Sequence, residues 1–133
     1  MAVEQNNFNY TFQPSTGLRQ YRAVTLTATG TIGYPAVGDP IIGILVDQGT
    51  TGVSATNAAR LRRNVCMGGI AKIEAAGGTP GSTLSAGDTW TPSSRGAAIK
   101  VGAGNYVAGY VISGSSGSTN RILTVSIQPI GTT

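Results

Sequence analysis

The stretch YVAGYVISGSSGSTNRILTVSIQPIG, residues 106 to 131, decides the fold of this chain. Two runs rich in β-branched and aromatic residues flank a run of glycine and serine, which is typical of a hairpin with an exposed tip. In the second run Leu123, Val125 and Ile127 alternate with polar residues, so a period of two places them on one face of a strand. The stretch contains no histidine, cysteine or acid. We therefore interpret the hairpin as scaffold.

Six more segments of strand length precede this hairpin, and glycine-containing turns separate several of them. The 133 residues fit one domain, and 20 glycines with only 11% charged residues favour short strands over helices. The segment 50–63 leaves room for one helical turn. The predicted class is all-β, a small single-domain barrel or sandwich. The six segments are 21–28, 40–46, 59–67, 69–75, 87–92 and 96–101.

The first 20 residues differ in composition from the body, which we place at 21–133. The sequence EQNNFNYTFQP is rich in amides, and Phe8, Tyr10 and Phe12 alternate with polar residues. In an extended segment these three rings lie on one side. Two interpretations follow, an edge strand that docks on its own domain or an extended N-terminal arm that docks on a neighbouring subunit.

The residue types that usually support catalysis are sparse. The chain has no histidine and one cysteine, so it lacks a Ser-His or Cys-His pair and the common zinc ligands. The five acids are scattered, and Asp88 beside Gly87 is typical of a turn in which the carboxylate accepts a backbone N–H. We interpret Cys66 and Trp90 as core residues. We predict no catalytic residue, no metal site and no cofactor.

One basic cluster, ARLRR at 59–63, stands out. In a strand Arg60 and Arg62 point to one face and Arg63 to the other. A solvated strand edge explains the charges, since charged edges block unwanted pairing. Contact with an acidic partner or with nucleic acid is the alternative, but no aromatic residue lies nearby to stack on bases.

The net charge of +4 is mildly basic, which does not by itself indicate nucleic acid as a partner. The start MAVEQNNFNY lacks the basic and apolar regions of a secretory signal, and no apolar run approaches the roughly 20 residues that span a bilayer. We expect a protein made in a cytoplasm, with no membrane partner.

The order of motifs resembles the capsid decoration (cement) proteins of tailed bacteriophages. An alternating strand, a Gly-Asp turn at Gly87 and Asp88, a second turn at Arg95 and Gly96, and a closing hairpin follow one another as in that family. The resemblance covers roughly residues 20 to 130. The segments that carry it are YRAVTLTATG, VGDPIIGILVDQG, GIAKIEAAG, GSTLSAGDTWTPSSRGAAIKV and the hairpin quoted above.

The resemblance implies a β-tulip-like body with an extended N-terminal arm. It also implies a structural virion protein on the outer surface of the expanded head, made in the host cytoplasm. Such a protein clamps neighbouring major capsid subunits and forms trimers at threefold or quasi-threefold positions. Its partners would be the major capsid protein and itself, without nucleic acid. The residues we predict to contact capsid or a neighbouring subunit are Val3, Phe8, Tyr10, Phe12, Arg60 and Arg62.

Three alternatives remain open on the sequence. Another virion β module, from a tail tube or baseplate, would share the all-β, non-catalytic character. A nucleic-acid or glycan-binding barrel would place Arg60, Arg62 and surface aromatics in one groove. A hydrolase would need two carboxylates within roughly 5–10 Å in a cleft.

Overall fold

The computed structural model describes residues 9–12, 14, 17–46, 63–76, 83–114 and 122–132. Within these ranges the chain forms twelve strands and no helix, which confirms the predicted all-β class. The strands are β1 Asn9–Phe12, β2 Ala23–Leu26, β3 Ile32–Gly33, β4 Gly43–Leu45, β5 Arg63–Cys66, β6 Gly69–Glu74, β7 Thr89–Pro92, β8 Ala98–Lys100, β9 Tyr106–Val107, β10 Gly109–Ser113, β11 Ile122–Ile127 and β12 Gly131–Thr132.

The first sheet has the order β1-β5-β4-β2-β3, with antiparallel pairing throughout. It is curled, because Pro14, just after β1, forms a parallel bridge to Ile32 in β3 at the opposite edge. The chain leaves this sheet at Cys66 and starts the next one at Gly69, whose φ of 87° lies in the left-handed region that favours glycine. The predicted kink at Gly68 and Gly69 is therefore confirmed.

The second sheet has the order β6-β11-β10-β7-β8 and is also antiparallel. The hairpin that opened the sequence analysis supplies its inner strands β10 and β11, with Val111 opposite Val125. Ala75 bridges Ala98, which joins the end of β6 to the far edge. A two-stranded pair, β12 with β9, completes the described structure.

Two apolar clusters fill the interior, one on each side of the first sheet. Between the two sheets lie Ala23, Ile44 and Cys66 from the first and Trp90, Leu123 and Val125 from the second, among others. Val24, Leu45 and Val65 face the other way, into a smaller cluster with Leu18 and Ile32. The central strands of the first sheet are therefore buried on both faces, whereas β10 and β11 bury only alternate residues.

In β11 the alternation is the one expected from the sequence. Leu123, Val125 and Ile127 are buried, and the residues between them are partly exposed. The sequence did not predict β3 and β12, because two residues are too few to show a period. The part of the chain that the structure describes has no helix long and apolar enough to cross a membrane.

Candidate binding surface

The predicted N-terminal contacts fall partly within the described residues. Tyr10 and Phe12 lie in β1, which pairs with β5 of the same chain. Phe12 packs against the smaller core cluster, while the side chain of Tyr10 is 57% exposed. Val3 and Phe8 lie outside the described residues. Residues 9–12 thus form an edge strand on their own domain, which is the first of the two predicted arrangements.

The basic cluster at 59–63 also falls only partly within the described residues. Arg60 and Arg62 lie outside the described residues. Arg63 is buried, and its Nη1 donates a hydrogen bond to the carbonyl oxygen of Leu18 at 2.8 Å. The expectation of a solvated edge is wrong for Arg63, because β1 covers that edge of β5 and the segment around Leu18 covers its side chain.

A seam of polar groups, which no local sequence pattern predicts, joins the two sheets at Arg22 and Glu74. Nε and Nη2 of Arg22 lie 3.1 and 3.0 Å from Glu74 Oε2, and Nη1 donates to the carbonyl oxygen of Arg95. Both Arg22 and Glu74 are buried, and exposed Arg19 approaches the same carboxylate at 3.4 Å. The partners are 52 residues apart, a separation that no local pattern reveals.

Two backbone hydrogen bonds cross the same seam, from the N–H of Glu74 to the carbonyl oxygen of Tyr21 and from the N–H of Ala23 to that of Gly96. The N–H of Tyr21 donates to the carbonyl oxygen of Leu45 in the first sheet. Tyr21 has a φ of 62°, the only positive value among the described non-glycine residues. Such a backbone conformation costs about 1–2 kcal/mol for a residue with a side chain, so its surroundings must hold it in place.

The structural roles that the sequence predicts for Trp90, Asp88 and Cys66 are confirmed. Trp90 is fully buried, and its Nε1 donates to the carbonyl oxygen of Ser126 at 3.0 Å. The Asp88 carboxylate accepts the N–H of Ser85 across the predicted turn. The Cys66 thiol is buried and donates to the carbonyl oxygen of Gly68, and burial raises its pKa.

A groove of about 430 Å³ opens where the seam meets the edge of the second sheet. β6 forms one wall, and the start of β1, the turn before β2 and the residue after β4 supply the other. The lining residues are Asn9, Tyr21, Val46, Ile70, Ala71, Lys72 and Thr124. The lining combines aliphatic surface with one exposed ammonium group, that of Lys72.

Beside the groove, the outer face of the second sheet exposes large apolar side chains. Tyr110 and Ile112 project from β10 and Ile122 from β11, with 42%, 44% and 43% of their surfaces exposed. The buried residues Val111, Leu123 and Val125 alternate with them on the core side. Tyr110 and Ile112 belong to the predicted hairpin, but its sequence does not distinguish the two faces by polarity alone.

Within the described ranges, no three His, Cys, Asp or Glu residues are grouped so that they could hold a metal ion. Glu74 is committed to the seam and Asp88 to a turn. Glu4 and Asp47 lie outside the described residues. The described part of the chain thus combines an exposed apolar sheet face with a groove that has Lys72 in its lining. No protein-family model matches this chain, and no curated protein matches it.

Proposed function

We propose that this chain is a capsid decoration protein that binds the outer surface of an expanded bacteriophage head and clamps neighbouring major capsid subunits. The resemblance over residues 20 to 130 suggests the family. The observation that carries the proposal is the exposed apolar face at Tyr110, Ile112 and Ile122. Large apolar side chains exposed on one face of a sheet are a common feature of interaction sites.

Such a surface suits a protein that covers a lattice. Aromatic and large aliphatic side chains supply most of the binding energy in protein interfaces, and few charges need to be desolvated when only 11% of residues are charged. Many weak copies on one shell reinforce each other when they contact more than one subunit. Because they bind the assembled shell and not its separated subunits, they stabilise the shell by mass action.

The N-terminal segment has a narrower role in this proposal than a free arm of 20 residues. Phe12 contributes to the core cluster and residues 9–12 cover β5, so this part supports the body. Val3, Phe8, Tyr10, Arg60 and Arg62 remain proposed contacts with capsid or with a sister subunit in a trimer.

Co-sedimentation with expanded heads assembled without this chain tests the proposal. We expect Tyr110→Ser and Ile112→Ser each to weaken head binding by about 5- to 30-fold, the equivalent of about 1–2 kcal/mol for an anchor residue. Val37→Ser is the matched control, since Val37 is 53% exposed in the turn between β3 and β4 and should leave binding unchanged.

A truncation that removes residues 1–8 distinguishes the contribution of the N-terminal residues to head binding from that of the body. It keeps β1 in place, whereas removal of residues 1–13 would also uncover β5. We expect the shorter truncation to fold and to bind heads more weakly. Full-length protein that does not sediment with heads, or that is recovered only with tails, would contradict the proposed location and favour the tail or baseplate module.

A further inference from the structure

The groove beside β6 opens at the point where the described part of the chain begins. Asn9, the first residue of β1, belongs to its lining. Residues 1–8, with the sequence MAVEQNNF, precede Asn9 directly and lie outside the described residues. They therefore join the body of the protein at the wall of this groove.

The alternation in β1 indicates which side chains of an extended segment before it can face the groove. Phe12 packs in the smaller core cluster, and Asn9 lies on the opposite face of β1 because an odd number of positions separates the two. The antiparallel partner of Asn9 is Cys66, whose side chain points toward the second sheet. In an extended segment Val3 shares the side of Asn9, and Glu4 lies on the other side.

The groove offers a suitable environment to each of these two side chains. Its aliphatic surface comes from Val46, Ile70 and Ala71. Lys72 also belongs to the lining, is exposed, and forms no ion pair with an acid of the described residues. Val3 facing inward thus meets apolar surface, and Glu4 facing outward lies on the exposed side with Lys72.

Charge distinguishes residues 1–8 from the other segment that adjoins the groove. Residues 47–62 follow Val46 directly and also lie outside the described residues. They contain one acid and two arginines, whereas residues 1–8 contain Glu4 and no lysine or arginine. Beside the exposed ammonium of Lys72, the segment with the net negative side-chain charge is the complementary one.

From these observations we infer that residues 1–8 dock across the groove of their own chain, with Val3 against the aliphatic lining and the Glu4 carboxylate beside the Lys72 ammonium. The five residues from Glu4 to Asn9 span up to about 17 Å when extended, which gives the segment the reach for this contact. Contact of Val3 with capsid would then require release of the segment. The inference concerns the isolated protein and does not depend on the particle to which it binds.

Carbodiimide cross-linking of the dilute full-length protein, followed by peptide mass spectrometry, tests the inference. The chain has two lysines, Lys72 and Lys100, and both are exposed. Lys100 on β8 does not line the groove and is the matched control. We expect Glu4 to couple to Lys72 and not to Lys100. In a mixture of isotope-labelled and unlabelled protein, the two coupled peptides should always come from the same chain.

Two variants distinguish docking from chance proximity. Val3→Ser should lower the yield of the link between Glu4 and Lys72 at least about twofold, because it removes apolar surface that the groove buries. Ala2→Ser, on the other side of an extended segment, should leave the yield unchanged. A link from Lys72 to Asp47 alone, coupling between labelled and unlabelled chains, or an equal yield in Val3→Ser and the parent would overturn the inference.

A comparison of NMR spectra tests the docking without cross-linking chemistry. Removal of residues 1–8 should shift the backbone amide signals of Lys72 and Thr124, which line the groove but are distant from the truncation in sequence. The amide signal of Lys100 should stay in place. Unchanged signals at Lys72 and Thr124 would contradict docking in the groove, whatever the outcome with phage heads.

Discussion

The two five-stranded sheets of this protein differ in how much of their inner strands is buried. In the first sheet β4 is buried at all its positions, because apolar clusters lie on both of its faces. In the second sheet β10 and β11 bury one face and expose Tyr110, Ile112 and Ile122 on the other. The central strand of the first sheet is therefore interior support, whereas the second sheet carries the exposed face that we propose as the binding surface.

The largest effect is expected at the seam between the sheets. Removing one member of a buried ion pair leaves the other charge uncompensated, so Arg22→Met should lower the free energy of unfolding by about 3–5 kcal/mol. The double variant Arg22→Met with Glu74→Gln should recover part of this loss. Denaturant unfolding measures both.

The control for the seam is Arg95→Ala, which removes an exposed side chain but keeps the carbonyl that accepts the Arg22 hydrogen bond. It should change stability by no more than about 0.5 kcal/mol. A double variant that is as unstable as Arg22→Met alone would show that lost packing, and not the unpaired carboxylate, sets the cost.

The comparison of the two sheets itself is tested with one substitution in each. Ile44→Ala in β4 should cost about 2–5 kcal/mol, because Ile44 is fully buried in the core between the sheets. Ile112→Ala on the open face should stay within about 0.5 kcal/mol of the parent. Thermal and urea unfolding would contradict the assignment of the open face if both substitutions cost the same.

A smaller effect is expected where the backbone of Gly96 packs closely against the backbone of Ala23 at the seam. Gly96 and Gly104 have similar φ values of 74° and 78°, but a Cβ at Gly96 would collide with the backbone oxygen of Ala23, whereas a Cβ at Gly104 would meet nothing within 4 Å. Both alanine variants should suffer the backbone strain, and Gly96→Ala should lose about 1–3 kcal/mol more. Equal losses would show that the seam can shift to admit a methyl group.

The smallest effect concerns pH. Burial raises the pKa of the Cys66 thiol above its ordinary value of 9.0, so the folded protein holds this proton where the unfolded chain releases it. The free energy of unfolding should therefore fall as pH rises above about 9. The pKa of Tyr106 is also raised by burial, so Cys66→Ala should reduce this decline without abolishing it. Unfolding curves at pH 8 to 10 measure the difference, and an unchanged decline in the variant would contradict the role of the thiol.

Much of the fold could be predicted because the strand patterns are local. The continuous apolar run PIIGILV predicts the strand that the structure shows as β4, and the alternation in RILTVSI predicts one buried face in β11. The turn at Asp88 follows from glycine and aspartate chemistry alone. These signals lie within a few residues of one another.

The binding surface was harder to predict, because its parts come together only in the fold. Arg22 and Glu74 are distant in sequence, and Arg63 looks like a surface charge until β1 and Leu18 cover it. Asn9, Val46 and Lys72 share a groove for the same reason. Sequence patterns identified the hairpin that carries Tyr110 and Ile112, but not that their face stays open.

Cryo-electron microscopy of the particle that carries this chain tests most directly whether the open face of the second sheet is the binding surface. We expect density at threefold or quasi-threefold positions outside an icosahedral shell, with Tyr110, Ile112 and Ile122 turned toward capsid or a sister subunit. Density for the chain in a tail, or on a shell with these three side chains turned to solvent, would contradict it.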